Sequence, residues 1–310
     1  MTTPQAGAPL VSVIITTYNT ARYVAATLTS ALNQTYAPFE VIVVDDGSED
    51  DIVRCVEPFL DRIRFLPERH AGLAAARNRA LDVATGEYIA LLDSDDLWYP
   101  NKLAVQVEIA RRWPESGLIA CDGHEFGAPS SRPFLLSGAA ATSLGSSRRE
   151  VTGEFHREFI RHVNIRCPAQ TLIPRRVVDR VGPFADFEAQ DYEYYLRIAA
   201  RYPVTFHADS LVSWRDREEG LSGPRVCREL TWIRQRIVIL SAYVESCEPR
   251  FRAAVRRQIA FSRAEAAFYA ASPRVARTTY RLWTSVRLRR RASGRIRTAE
   301  PGDGFADAAS

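Results

Sequence analysis

At 310 residues, with 46% hydrophobic and 25% charged residues, the chain can bury a full core and hold one large domain or a domain with an appendage. A net charge of +4 is too small to argue for a nucleic-acid partner, although positive charge gathers near the C-terminus. Five scattered cysteines without a Cys-x-x-Cys pair, a start without the basic and apolar segments of a leader, and no apolar run long enough to span a bilayer predict a reduced, cytoplasmic protein.

Residues 1–9 read as a disordered N-terminus. Leu10 to Tyr18 is a β-rich apolar run, and Asn19 and Thr20 can cap a helix with Tyr23, Val24, Leu28 and Leu32 on one stripe. The β-α unit repeats: Phe39 to Val44 is a second buried strand ending in Asp45-Asp46-Gly47-Ser48, followed by a helix around Ile52 to Leu60. Ile63 to Leu66 is a short third strand, Gly72 to Ala84 an Ala-rich helix, Tyr88 to Leu92 a central strand, Lys102 to Arg112 a helix and Leu118 to Cys121 a further strand. Such alternation specifies a mostly parallel, doubly wound sheet flanked by helices. A Gly, Ser, Pro and Ala-rich stretch at 126–149 reads as a long loop over the sheet edge. Order returns with Phe155 to Val163, Thr171 to Ile173, a helix from Arg175 to Val181 and another opened by Asp191; Val204 to His207 and Leu211 to Trp214 read as two short strands. From Pro224 the pattern is helical to Arg291, and 292–310 reads as a disordered tail.

The central strand ends in Asp93-Ser94-Asp95-Asp96, three carboxylates in four residues at the carboxyl edge of a parallel sheet, where ligands bind. Their mutual repulsion is relieved either by a hard divalent cation, Mg²⁺ or Mn²⁺, or by solvation in a loop that caps the next helix. The first strand is followed by Thr16-Thr-Tyr-Asn-Thr-Ala21 rather than a glycine-rich turn, which argues against a dehydrogenase, and no Gly-Lys-Ser/Thr loop of a P-loop ATPase occurs.

Four pieces together, Val13-Ile-Ile-Thr-Thr-Tyr-Asn19, Val43-Val-Asp-Asp-Gly-Ser48, Gly72-Leu-Ala-Ala-Ala-Arg-Asn78 and Leu91-Leu-Asp-Ser-Asp-Asp96, resemble the family 2 glycosyltransferases across residues 10–222. The resemblance implies a Rossmann-like GT-A fold over 10–222, to which the helical pattern of 223–291 is an extension, and an inverting, metal-dependent transfer from a nucleoside-diphosphate sugar, uracil-linked by preference. By resemblance Thr16 and Tyr18 line the nucleotide pocket, Asp46 accepts a hydrogen bond from the base while Asp45 caps its turn, and Asp93 belongs to the ribose and metal environment. Asp95 is the metal ligand, and Asp96 stands behind it or on the acceptor side. On its own residues, Tyr18 could equally pack under the first helix, and Arg77 could reach a diphosphate, pair with a pocket aspartate or face solvent.

Transfer to an alcohol needs a carboxylate in reach of the acceptor oxygen. In the family this is the aspartate of a Glu-Asp pair after a Gly-x-Phe segment; here Gly182-Pro-Phe184 is followed by Gln190-Asp191, which gives Asp191 the role of base and replaces the glutamate by Gln190. Asp191 read without the resemblance is a helix cap. The family's Arg-x-His is also altered: Arg215-Asp216-Arg217 puts Arg217 in the histidine's place, as a fixed charge for the diphosphate. His70 and His124 read as surface or packing residues. These two departures leave open a non-catalytic nucleotide-sugar or carbohydrate-binding module.

Residues 274–297 hold nine arginines and no acid, interleaved with Tyr280 and Trp283. They read as a solvated bundle helix or as a peripheral contact with the inner face of an anionic membrane, which would suit a lipid-linked acceptor; glycan and small-molecule acceptors fit as well.

Overall fold

The computed structural model describes residues 7–127, 136, 143–144, 149–162, 164–217, 228–271 and 298–299. Its first half is four β-α repeats. Strands β1 (Val11–Thr17), β2 (Phe39–Asp45), β3 (Arg64–Pro67) and β4 (Tyr88–Asp93) alternate with helices α1 (Ala21–Leu32), α2 (Ile52–Val56) and α3 (Leu73–Val83). β1 pairs in parallel with both β2 and β4, in a register that sets Thr16 beside Val44 and Asp93, so three strand ends and the loops leaving them lie together.

The apolar runs are continuous because the sheet is covered on both faces. Along β4, Ile89 and Leu91 join one core while Ala90 and Leu92 join the core on the opposite face. This is the period of two expected of a strand.

The second half mixes directions. After β5 (Leu97–Trp98) and α4 (Lys102–Arg112) come β6 (Leu118–Phe126), β7 (Glu150–Gly153), α5 (His156–Arg161), β8 (Thr171–Pro174), α6 (Arg175–Val181), α7 (Gln190–Ala199) and β9 (Val204–Arg215). β8 is antiparallel to both β4 and β6, whereas β6 and β9 run parallel; with β10 (Thr298–Ala299) the order is β10-β7-β9-β6-β8-β4-β1-β2-β3, and β5 pairs with β9.

Two readings of the sequence change here. The two short strands expected around residues 204–214 are one strand, β9, which runs on past Ala208 and Asp209 by a bulge: its register against β6 shifts between Cys121, Asp122 and Gly123 and pairing resumes at Ser210. The termini called disordered hold order in part: Pro9 is buried and its carbonyl accepts the Tyr36 hydroxyl at 2.6 Å, and β10 (Thr298–Ala299) pairs with β7. The basic stretch 274–297 and most of the 126–149 loop lie outside the described residues.

The C-terminal helices, α8 (Arg228–Ser246) and α9 (Pro249–Ala271), are not a separate body. Ile239, Leu240, Tyr243 and Val255 belong to the same core as Leu118, Phe155 and Phe206 under the sheet. His156 on α5 meets the Tyr243 hydroxyl at 2.8 Å, and the Tyr192 ring on α7 stands edge-on to Trp232 at 5.1 Å. No helix among the described residues is long and apolar enough to cross a membrane.

Candidate functional site

A cavity of about 460 Å³ opens at the carboxyl ends of β1, β2 and β4. Thr16, Tyr18, Asp46, Asp93, Asp95 and Arg217 all line it, so six of the residues singled out from the sequence face one space.

Side-chain hydroxyls tie the three strand ends together. Thr20 Oγ1 lies 2.7 Å from both Thr17 Oγ1 and Ser94 Oγ, and Thr27 Oγ1 donates to the carbonyls of Ser94 and Asp96 at 2.9 Å. Asn19 adds a link to the second loop, its N–H donating to Ser48 Oγ at 2.9 Å while its Oδ1 accepts from Glu49 N–H at 2.8 Å. Asp45 caps its own turn, accepting from Ser48 N–H at 3.1 Å and Ser48 Oγ at 2.5 Å. Asp46 is thereby left to face the cavity.

Asp46 is held from behind. Its two carboxylate oxygens accept the backbone N–H groups of Ala71 and Gly72 at 2.8 and 3.0 Å, at the start of α3. His70 completes this corner: Nδ1 lies 3.0 Å from both the carbonyl and Oδ2 of Asp46, and its ring stacks on Tyr18 with centroids 4.3 Å apart. His70 also lines the cavity. His70 is therefore part of the site, not the bystander the sequence suggested. The approach depends on Gly47, at φ +74°, where a Cβ would stand 2.6 Å from the backbone nitrogen of His70. Tyr18, 44% exposed, lies open over the cavity instead of packing under α1.

Of the alternatives for Arg77, the structure selects the pocket aspartate. The side chain is buried on α3, Nη2 donates to Asp93 Oδ1 at 2.8 Å, and Nη1 is buried without a partner. Asn78, the next residue on α3, makes a reciprocal pair with the backbone of Phe184, donating to its carbonyl at 3.0 Å and accepting its N–H at 2.8 Å. Arg197 on α7 donates to the carbonyls of Val181 and Pro183, both at 2.8 Å, and Phe184 stacks on Tyr194 with centroids 4.0 Å apart. The Gly182-Pro183-Phe184 turn thus fastens α3 to α7, the helix that carries Asp191.

Asp191 is not among the residues lining the cavity. Burial raises its proton affinity, the charge of Arg77 opposes that rise, and Asp93, which does line the cavity, adds to it. Its Oδ1 accepts its neighbour's N–H, from Tyr192 at 2.9 Å. Asp96 departs from one of its two readings: it is fully buried and accepts the Arg215 N–H at 2.9 Å, so it stands behind Asp95 and is absent from any acceptor side. Burial, then Asp95 and Asp93, push its carboxyl well above the usual range.

Asp95 meets the cavity with Arg217 Nε 2.6 Å from Oδ2. Burial raises its proton affinity, and Asp93 adds to that against the opposing charge of Arg217. No three His, Cys, Asp or Glu side chains among the described residues gather where they could hold a metal ion. A site built around one hard carboxylate still suits Mg²⁺ or Mn²⁺, which are bound through one or two carboxylates, waters and the phosphates of a substrate.

The family model described as glycosyl transferase family 2 matches residues 12–181. Among relatives, the chain is 32% identical over 194 residues to the UDP-Glc:alpha-D-GlcNAc-diphosphoundecaprenol beta-1,3-glucosyltransferase WfaP of Escherichia coli, covering 62% of this chain and 71% of that one. It is 46% identical over 102 residues to the enzyme WfgD of Escherichia coli, of the same description, covering 32% of this chain and 40% of WfgD. An uncharacterized glycosyltransferase of Rickettsia felis is 30% identical over 224 residues, 68% of this chain and 35% of that protein. The chain thus spans well under half the length of the last two. Of solved structures, S. aureus TarS 1–349 in complex with UDP-GlcNAc superposes with a TM-score of 0.59 at 20% identity, over 81% of this chain and 71% of that one. The mannosyltransferase PcManGT of Pyrobaculum calidifontis, in complex with GDP-Man and Mn²⁺, gives 0.58 at 19% identity, over 91% and 81%. These two likenesses establish the shared GT-A fold.

Proposed function

The chain belongs to glycosyl transferase family 2, and from that membership and its site we propose that it moves a sugar from a uracil-linked nucleoside diphosphate to an acceptor hydroxyl, with inversion. One observation carries this reading: Thr16, Tyr18, Asp46, Asp93 and Asp95, drawn from three strand ends, line a single cavity. The family resemblance assigns the roles, and the donor and lipid-linked acceptor in the names of the two Escherichia coli relatives support the substrate class.

In this reading Tyr18 stacks on the base while Asp46, held by the N–H groups of Ala71 and Gly72, accepts a hydrogen bond from its imide N–H. Thr16 and Asp93 receive the ribose, with Arg77 fixing the Asp93 carboxylate. Asp95 would hold a Mn²⁺ or Mg²⁺ ion, which when bound supplies a Lewis acid that offsets the charge of the leaving diphosphate. Arg217 adds a positive charge on the same side of the cavity. Asp191 takes the proton of the acceptor hydroxyl as its oxygen attacks the anomeric carbon from the face opposite the diphosphate, and a single displacement inverts that centre. The acceptor is a glycan carried on a lipid diphosphate.

The test is transfer from UDP-glucose to a lipid-diphosphate-linked N-acetylglucosamine acceptor in the presence of Mn²⁺, with the anomeric configuration of the product read by NMR. Asp191→Asn is expected to abolish transfer and leave the UDP dissociation constant unchanged. A parental rate in that variant removes the base assignment, and failure of every UDP-, GDP- and dTDP-sugar to bind removes the nucleotide site.

A further inference from the structure

The place a divalent cation would take on Asp95 is occupied by a cation of the chain itself. Arg217 Nε stands 2.6 Å from Asp95 Oδ2, with side chains 25% and 13% exposed, and both residues line the cavity. Arg215, two residues earlier, is pinned: its N–H donates to Asp96 Oδ1 and its Nε to the Asp95 carbonyl, both at 2.9 Å. Its guanidinium also lies 4.3 Å and 4.7 Å from the ring centres of Phe126 and Tyr23. Arg217 lies beyond the end of β9 at Arg215, and its guanidinium sits farther from Tyr23, at 5.6 Å. Arg215 is bound along the wall through its backbone and side chain, whereas Arg217, past the strand end, meets the Asp95 carboxylate at the cavity surface.

We infer that Arg217 competes with the divalent cation for Asp95 and passes to the donor's diphosphate when the donor enters, so that cation and nucleoside diphosphate bind cooperatively. This rests on the reading of the cavity as a nucleotide-sugar site. A carboxylate oxygen in a charge-assisted bond to a guanidinium cannot at the same time ligate a metal at about 2.1 Å without bringing two positive charges together. A diphosphate removes that conflict in one step. It offers the guanidinium a pair of oxygens matched to its fork, and it supplies oxygen ligands to the cation that now takes Asp95. Coupling of this kind is reciprocal: whatever factor UDP gains from the cation, the cation gains from UDP.

The experiment is isothermal titration of Mn²⁺ into the full chain, alone and with saturating UDP, for wild type, Arg217→Ala and Arg217→Lys, with the Tm of each variant confirming the fold. Wild type is expected to bind Mn²⁺ about tenfold tighter when UDP is present. Arg217→Ala should bind Mn²⁺ alone about tenfold tighter than wild type and show a smaller UDP enhancement, because only the part due to direct phosphate ligation remains, whereas Arg217→Lys, which keeps a charge, should retain the wild-type pattern. Mn²⁺ binding by Arg217→Ala that is no tighter than wild type overturns the inference. So does UDP binding with no Mn²⁺ taken up by any form, a result that leaves the nucleotide site standing; absence of UDP binding in all three would remove the site itself.

Discussion

Replacing Asn78 by alanine deletes both hydrogen bonds that join α3 to the Phe184 backbone, at 3.0 and 2.8 Å. Each is worth about 1 kcal/mol net, so the fold should lose about 2 kcal/mol, a Tm drop of about 3 °C for a chain of this size. The larger effect falls on catalysis. Asn78 does not line the cavity, whereas the turn it holds leads into the helix bearing Asp191. A general base displaced by about 1 Å costs up to about a hundredfold in rate. We therefore expect kcat to fall about ten- to a hundredfold while the UDP dissociation constant stays within about twofold. Asn78→Asp keeps an acceptor for the Phe184 N–H and loses the donor to its carbonyl, and should fall between the two. Calorimetry of UDP binding beside steady-state transfer kinetics reads both quantities. Loss of UDP affinity in step with kcat, or a lowered Tm with unchanged kcat, refutes the role given to this clamp.

Burial raises the proton affinity of Asp191, and a base works only when ionised, so the acidic limb of the kcat profile should lie above the ordinary aspartate value of about 4. A profile flat to that value would count against Asp191. His70→Ala removes the stacking partner of Tyr18 and one contact to Asp46, and should weaken UDP binding about two- to tenfold; unchanged affinity in calorimetry would show that His70 is only packing. Arg236, buried on α8, donates to Glu265 of α9 at 2.5 Å, and Arg236→Ala removes that guanidinium from a carboxylate whose side chain is 8% exposed. A loss of about 3–5 kcal/mol in urea unfolding is expected, with much less in the double replacement Arg236→Met, Glu265→Leu.

The parallel half of the sheet was legible because each strand is an apolar run that stops at a polar turn, and β4 runs straight into its acids. Asp46, Asp93 and Asp95 could be placed on one edge because strand ends in a parallel sheet share a side. β9 was hidden because Asp209-Ser210 breaks the apolar pattern, while the slip in pairing that carries the strand past this corner leaves no mark in either sequence segment. His70 was missed for a different reason: its part depends on Tyr18 and Gly47, which fall on other loops, and a histidine after a short strand carries no pattern of its own. Asp96 could not be told from Asp95 by composition, since only the turn geometry sends one carboxyl outward and its neighbour into the protein. The run from Pro224 was readable as helix, but the surface that receives it was not.

The shared interior of the sheet and the last two helices separates what identifies this chain from what lets it fold. The family match stops at residue 181, ahead of Asp191, while Trp232 and Tyr243 close over the underside of α5 and α7. A shortened chain ending at that boundary would keep the nucleotide-facing motifs, surrender the proposed base and leave bare the apolar flank of α5 that α8 and α9 now shelter. Recognition and foldability have different limits here, and any engineered fragment must respect the longer of the two.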